Sequence, residues 1–228
     1  MGVEAPICFR RGSVGVSDRY DATGHIEGQY EPGSRGRVLR NLLSVKNKRA
    51  MYALESQALF TALETAIAKY DRDHRFTADD LCSMHRSWLG GIYAWAGKYR
   101  QVNLEKGGLP FAAAHLVPRL MTDFEKQVLA VYTPCRFSSH QEIAHALAVA
   151  HVELLLIHPF REGNGRLARM LASLMSFQAG LPPLDFGELK GERKKEYFAA
   201  VRAGFDRDYD PMTKIFCGLI ERTLRRHA

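Results

Sequence analysis

The sequence predicts a mainly α-helical fold, a compact helical bundle that carries one small β-hairpin. Apolar residues recur at spacings of three and four in several separate stretches, which is the period of a helix with one buried face. One stretch near residue 105 instead has the pattern of a short strand, a Gly-Gly turn and a second strand. The 228 residues, of which 46% are hydrophobic, suffice for a sizeable core, and nothing in the sequence indicates two cores.

Two helices are predicted in the first half of the chain. The first covers Met51 to Tyr70, where leucine, alanine and isoleucine repeat with helical period. The second begins after Thr77, because Thr77 and Asp80 have the spacing of an N-capping box. It ends or bends at Gly90 and Gly91, and both helices therefore precede the hairpin.

The hairpin is predicted between Tyr99 and Phe111. Residues 99–104 are strand-like, Gly107 and Gly108 supply the turn, and Pro110 keeps the exposed edge from pairing indiscriminately. From these residues alone, an inert surface hairpin is the simplest interpretation.

Further helices are predicted after the hairpin. A capping box of Ser139 and Glu142 opens the one that leads to His158. The expected bounds of the others are Leu116–Val131, Leu167–Gly180, Glu192–Phe205 and Asp210–Arg226.

A polar loop between two buried helices is the most informative part of the sequence. It reads His-Pro-Phe-Arg-Glu-Gly-Asn-Gly-Arg-Leu-Ala-Arg over residues 158–169. Pro159 disfavours helical geometry in the residue before it, so the preceding helix should end at His158. Arg166 and Arg169 then lie on one face in the first turns of the next helix, where the helix dipole disfavours cations. We therefore expect an anion there, and removing either arginine from the empty protein should cost little stability.

The residue types in the loop favour a polyphosphate as that anion. Gly163, Asn164 and Gly165 can turn their backbone N–H groups toward one point and form an anion-binding nest. Glu162 supplies the single carboxylate with which proteins commonly hold Mg²⁺ beside phosphates. His158 is a candidate general base for a hydroxyl that attacks phosphorus. Each residue alone could be a helix cap, a solvated side chain or a plain turn, but structural needs do not call for the whole set.

The loop resembles the signature of the Fic family, His-x-Phe-x-Asp/Glu-Gly-Asn-Gly-Arg-x-x-Arg, and every specified position is filled. The resemblance extends over roughly residues 37–226, since the lead-in Arg37–Leu43 and the segment Tyr93–Gly97 are also similar to bacterial Fic proteins. It implies the Fic fold and transfer of AMP from ATP to a Ser, Thr or Tyr hydroxyl of a target protein, in a toxin-like or regulatory enzyme. The related Doc kinases carry Lys where this chain has Gly165, which favours AMP transfer over phosphorylation.

The resemblance also implies a role for each residue of the loop. His158 would be the base, Glu162 the Mg²⁺ ligand and Phe160 the anchor of the loop in the core. The residues that would bind the phosphates of ATP are Gly163, Asn164, Gly165, Arg166 and Arg169.

The hairpin would be a flap in this family, an added strand to which the backbone of the target pairs while its hydroxyl meets the base. The flap residues implied are Lys106, Gly107, Gly108, Leu109, Pro110 and Phe111. Because the flap recognises mostly backbone, the sequence does not identify the target protein.

Many Fic proteins are held inactive by a glutamate of a Ser/Thr-x-x-x-Glu-Gly/Asn motif that pairs with the second arginine. This chain has one full match, in which Thr23, Glu27 and Gly28 occupy the specified positions. Glu27 is therefore a candidate inhibitor of Arg169, and a separate small antitoxin polypeptide is the alternative, which the lead-in at Arg37–Leu43 favours.

The chain divides into an N-terminal arm, residues 1–36, rich in glycine, and a catalytic domain, residues 37–228. The four cysteines are scattered and form no Cys-x-x-Cys pair, and no apolar run is long enough to cross a bilayer, so we expect a cytoplasmic protein without a membrane partner. The net charge of +7 has no accompanying nucleic-acid motif, so nucleic acid is not an expected partner. Two alternatives stay open: a helical nucleic-acid or protein-binding module with a vestigial nucleotide loop, and transfer of another nucleotide monophosphate.

Overall fold

A computed structural model of the chain describes residues 25–106, 109–188 and 191–227. Its α-helices are α1 (Lys48–Lys69), α2 (Ala78–Leu89), α3 (Val117–Phe124), α4 (Ala130–Tyr132), α5 (His140–Ile157), α6 (Asn164–Gln178), α7 (Glu192–Ala203) and α8 (Asp210–His227). A π-helical turn, Glu125–Leu129, joins α3 to α4, and short 3₁₀ turns lie at Ile26–Gly28, Ala114–Leu116, Phe186–Glu188 and Gly204–Asp206. The prediction of a mainly helical fold is confirmed.

Helix α5 lies at the centre of the bundle and packs against both α6 and α8. Most of its residues are buried on every side, which is typical of a helix in the middle of a core. Leu147 and Leu154 are fully buried, and each such side chain contributes roughly 1.5–3 kcal/mol relative to exposure. The C-terminal end of α5, where the polar loop begins, is therefore anchored in the core.

Both predicted capping boxes are present. The Thr77 side chain accepts from the Asp80 N–H and the Asp80 carboxylate accepts from the Thr77 N–H, so the start of α2 is satisfied in both directions. Ser139 and Glu142 make the same exchange at the start of α5. These local signals fix where the two helices begin.

The strand expected at Tyr99–Leu104 was placed too early. The strands are β1 (Glu105–Lys106) and β2 (Leu109–Pro110), which pair antiparallel with Lys106 opposite Leu109. In the preceding residues, side chains occupy backbone groups that a ladder would need: the Val102 carbonyl accepts from Arg100, and the Gln101 N–H donates to Glu27.

Part of the predicted N-terminal arm is folded against the rest of the chain, since Glu27 and Ser34 are buried. Residues 1–24 lie outside the described residues. From there, Ile26–Gly28 forms a 3₁₀ turn, Tyr30 forms an isolated antiparallel bridge with Leu39, and the Leu42 N–H donates to the Ile92 carbonyl.

In the ranges that the structure describes, no helix combines the length and the apolar character that crossing a bilayer requires.

Candidate active site

The polar loop is shaped by two residues in left-handed backbone conformation. Helix α5 ends at His158, which has φ 52° and ψ 58° and donates its N–H to the Leu154 carbonyl. Helix α6 begins after Gly163, which has φ +86°, and a Cβ there would lie 2.7 Å from Cζ3 of Trp88. Glycine is thus required at 163 both by its dihedral angles and by the close approach of the loop to α2.

The Asn164 side chain closes the loop with two hydrogen bonds to the backbone of Phe160. Its Oδ1 accepts from the Phe160 N–H at 2.9 Å and its Nδ2 donates to the Phe160 carbonyl at 2.7 Å. Phe160 is fully buried and stacks on His85 with ring centroids 4.0 Å apart. The Asn164 side chain is therefore committed to the loop itself. The backbone N–H groups of Asn164 and Gly165 have no carbonyl to bind in the first turn of α6. These two backbone donors are therefore left for an anion.

His158 is oriented by its own helix. Its Nδ1 lies 3.1 Å from the Leu155 carbonyl, and because a carbonyl can only accept, Nδ1 carries the hydrogen. In the neutral ring the lone pair is then on Nε2, as a general base requires. The ring of Phe111 stacks on the imidazole at 3.7 Å, so the end of the hairpin segment lies directly on His158.

Glu162 lies at the N-terminal end of α6 and is 47% exposed. Its Oε1 accepts from the Gly163 N–H at 2.9 Å and lies 3.5 Å from Nη2 of Arg166. Within the described ranges no three His, Cys, Asp or Glu side chains are grouped as metal ligands. One accessible carboxylate fits Mg²⁺, which takes its other ligands from water and substrate phosphates, and does not fit an all-protein metal cage.

Arg166 has a partner that the sequence analysis missed. Its Nη1 lies 2.8 Å from Oε2 of Glu55, a residue of α1 that is only 6% exposed. Glu55 Oε1 also accepts from the Tyr93 hydroxyl at 2.7 Å, and the Arg166 guanidinium lies over the Trp88 ring. The expectation that Arg166 lacks an anion in the empty protein was wrong, because the chain supplies one. The available signal was a charged residue within the apolar stripe of α1.

Arg169 is directed to a different element. Its guanidinium opposes the rise that burial causes in the pKa of the Tyr197 hydroxyl on α7, so it lies near that hydroxyl. The hydroxyl itself lies 2.6 Å from Nε2 of the buried His151. Burial lowers the pKa of His151 to about 3, so this histidine is neutral in the folded protein. Arg166 is thus held by α1, and Arg169 lies on the side of the loop that faces α7.

The remaining predicted site residues have the following positions. Gly107 and Gly108 lie outside the described residues, while Lys106, Leu109 and Pro110 lie in the paired strands. Beside the loop there is a cavity of about 230 Å³, whose lining includes Arg37, Lys48, Glu55, Tyr93, Glu162 and Arg166.

Glu27 does not pair with Arg169 as predicted. Its carboxylate accepts from the Gln101 N–H at 2.5 Å, and its carbonyl accepts from Nε of Arg161 at 2.8 Å. The segment is a 3₁₀ turn instead of the helix on which the family motif lies, so the carboxylate is directed to the base of the hairpin. Thr23, the first position of that motif, is outside the described residues.

Residues 75–176 match the family model described as Fic/DOC. The chain carries a domain of the Fic/DOC family. The resemblance drawn from the loop is confirmed by a match that contains both α5 and the loop.

Curated relatives of this Fic domain carry adenylyltransferase names. The chain is 31% identical over 157 residues to the protein adenylyltransferase Fic of Nematostella vectensis, covering 67% of this chain and 34% of the relative. It is 29% identical over 160 residues to the protein adenylyltransferase fic-1 of Caenorhabditis briggsae, covering 68% of this chain and 29% of the relative. The chain therefore spans about a third of the length of the curated relatives it matches.

Solved structures show the same fold. BepC from Bartonella tribocorum, with bound AMPPNP, has a TM-score of 0.63 and 23% identity over 79% of this chain and 91% of that chain. Fic-1 from C. elegans has a TM-score of 0.58 and 25% identity over 76% of this chain and 49% of that chain. The described helices are thus those of a Fic fold.

Proposed function

We propose that this chain is a protein adenylyltransferase that transfers AMP from ATP to a Ser, Thr or Tyr hydroxyl of a target protein. The observation that carries the proposal is the orientation of His158, whose Nδ1 lies 3.1 Å from the Leu155 carbonyl and which therefore keeps Nε2 as its proton acceptor. The N-terminus of α6, six residues further along the chain, would bind the phosphates. The names of the curated relatives support the same reaction.

The reaction is a nucleophilic substitution at the α-phosphorus of ATP. The target hydroxyl oxygen attacks, and its proton passes to Nε2 of His158. The bond from the α-phosphorus to the bridging oxygen breaks as the new O–P bond forms, and pyrophosphate leaves with that electron pair. The N–H groups of Asn164 and Gly165 bind the charge on the α-phosphate, and Arg166 and Arg169 bind the departing phosphates.

Glu162 would hold Mg²⁺ in this reaction. The ion neutralises phosphate charge when it is bound. Glu162 is suited to the task because its carboxylate is accessible and its other neighbours, the Gly163 N–H and Arg166, keep it beside the phosphate site.

The hairpin would act as the flap that receives the target. Strand β2 is short and lies directly before Phe111, whose ring rests on His158. A target backbone paired to β2 would therefore bring its hydroxyl toward the base. Recognition by backbone pairing fits a strand this close to His158.

The division into an arm, residues 1–36, and a catalytic domain, residues 37–228, stands as part of the proposal, with residues 25–28 tied to the domain through Glu27. A separate antitoxin polypeptide would be the source of any carboxylate that blocks Arg169, because the carboxylate of Glu27 binds elsewhere.

Label transfer tests the proposal. The protein is incubated with Mg²⁺, a lysate and ATP labelled on the α-phosphate, and protein-bound label is expected with wild type and not with His158→Ala. His140→Ala is the matched control, an exposed histidine at the opposite end of α5, and it should keep full activity. Label arriving from the γ-phosphate instead would refute AMP transfer and support phosphorylation.

A further inference from the structure

Arg100 is a fully buried arginine, 1% exposed, that binds backbone carbonyls with each nitrogen of its side chain. Nε donates to the His158 carbonyl at 2.7 Å, and Nη2 donates to the Ile157 carbonyl at 3.3 Å. The backbone N–H of Arg100 donates to the Pro159 carbonyl at 2.9 Å. Arg100 thus caps three consecutive carbonyls at the C-terminal end of α5, where a cation is also favoured by the helix dipole.

The other side of the same guanidinium holds the two ends of the hairpin segment. Nη1 donates to the Val102 carbonyl at 2.8 Å, and Nη2 donates to the Ala112 carbonyl at 2.5 Å. Between these positions, the Phe111 N–H closes the hairpin on the Leu104 carbonyl. One planar group therefore joins the His158 turn to both ends of the hairpin, which a point-like ammonium could not do.

A buried cation needs a compensating charge, and Glu27 is placed to provide it. Glu27 is 5% exposed, and its carboxylate accepts from the N–H of Gln101, the residue after Arg100. Burial lowers the pKa of the Arg100 guanidinium to about 10, and the Glu27 carboxylate opposes this shift. The Glu27 carbonyl also accepts from Arg161 of the polar loop, so the 25–28 segment touches both the hairpin base and the loop.

We infer that Arg100 is a positioning residue for the reaction, because it fixes the position of the hairpin segment relative to His158. Glu27 supports catalysis by acting through Arg100. The inference rests on the proposed function. It gives Glu27 a supporting effect on activity, whereas the sequence motif predicts inhibition. An inhibitory Glu27 would make Glu27→Ala more active, whereas a supporting Glu27 makes it less active.

Kinetic measurements on variants of the 228-residue chain show whether Glu27 raises or lowers the rate of AMP transfer. Glu27→Ala should lower kcat for AMP transfer about tenfold, and Arg100→Lys about a hundredfold, because small misplacement of reacting groups costs factors of this order. The dissociation constant of ATP should change less than about twofold, since neither side chain contacts the phosphate-binding N–H groups. Glu31→Ala is the matched control, because it removes an equal charge from the same N-terminal arm. Glu31 accepts from the Asn41 N–H, and its replacement should leave kcat unchanged.

A double variant of Glu27 and Arg100 distinguishes a positioning role from simple loss of structure. If Glu27 acts through Arg100, the double variant Glu27→Ala/Arg100→Lys should have about the kcat of Arg100→Lys alone. Additive losses, a silent Glu27→Ala or a rise in kcat would each overturn the inference. Where Arg100→Lys does not fold, Glu27→Gln keeps the question decidable, because it removes the charge while keeping an acceptor for the Gln101 N–H, and it should lower kcat more than Glu31→Gln does.

A readout that needs no turnover distinguishes failure of this inference from failure of the proposed function. In NMR spectra of the protein without nucleotide, Glu27→Ala should shift the His158 imidazole and Phe111 ring resonances, and Glu31→Ala should not. Absence of AMP transfer with these shifts present would refute the proposed function alone. Unchanged resonances in Glu27→Ala would refute the positioning role even in an active enzyme.

Discussion

Replacing Arg166 with alanine removes the cation that faces the buried Glu55 carboxylate. Breaking a buried ion pair from one side typically costs roughly 3–5 kcal/mol, because the other charge is left without its partner. The low end applies here, since Arg166 is 18% exposed and the Tyr93 hydroxyl still donates to Glu55. We expect a loss of about 3 kcal/mol, which for a domain of this size lowers the Tm by roughly 6–12 °C.

Thermal unfolding followed by circular dichroism, without nucleotide, measures this loss. Arg119→Ala is the matched control, because Arg119 forms an exposed pair with Asp123 one turn away, and such pairs contribute only about 0.3–0.5 kcal/mol. The double variant Glu55→Gln/Arg166→Met should recover part of the loss, since neither charge then stays buried alone. A Tm for Arg166→Ala within about 1 °C of wild type would show that the pair with Glu55 adds no net stability, as expected from the helix dipole alone.

Three further predictions concern the loop and its surroundings. Asn164→Ala should cost about 1–3 kcal/mol and lower AMP transfer, because two buried Phe160 backbone groups lose their partner, and paired denaturation and label-transfer assays measure both effects. Gly163→Ala should destabilise the fold by more than about 1 kcal/mol, because it combines a positive φ with a clash against Trp88, and a soluble variant of wild-type Tm would contradict this. The pKa of His85 is lowered to about 4 and that of His151 to about 3, chiefly by burial, so the unfolded chain binds more protons and stability should fall as pH drops below about 6.5. Urea titrations at pH 7 and 5 should differ by about 2 kcal/mol for each histidine, and His151→Phe should reduce that difference.

The parts of the site that are local in sequence could be predicted, and those that depend on distant contacts could not. The end of α5 at His158 follows from Pro159, so one border of the loop could be predicted from adjacent residues. Helix α6 begins at Asn164, three residues before Leu167, where the apolar period placed its start. Glu55 lies on a separate helix far earlier in the chain, and only packing brings it to Arg166.

The same limit explains the misplaced strand and the unexpected partner of Glu27. Tyr99–Leu104 has strand-like composition, but the Arg100 guanidinium and the Glu27 carboxylate occupy its backbone groups. Glu27 matches a motif in sequence, yet its 3₁₀ turn directs the carboxylate to Gln101. A pattern of residue types indicates which chemistry a side chain can perform, but the fold determines which group that side chain contacts.

We propose that His158 activates a protein hydroxyl for AMP transfer. Mass spectrometry of proteins recovered after incubation with ATP and Mg²⁺ tests it most directly, because it identifies both the added group and the residue that carries it. We expect an AMP moiety on a Ser, Thr or Tyr side chain with wild type and with His140→Ala, and none with His158→Ala. A phosphate in place of AMP, or AMP addition that persists in His158→Ala, would contradict it.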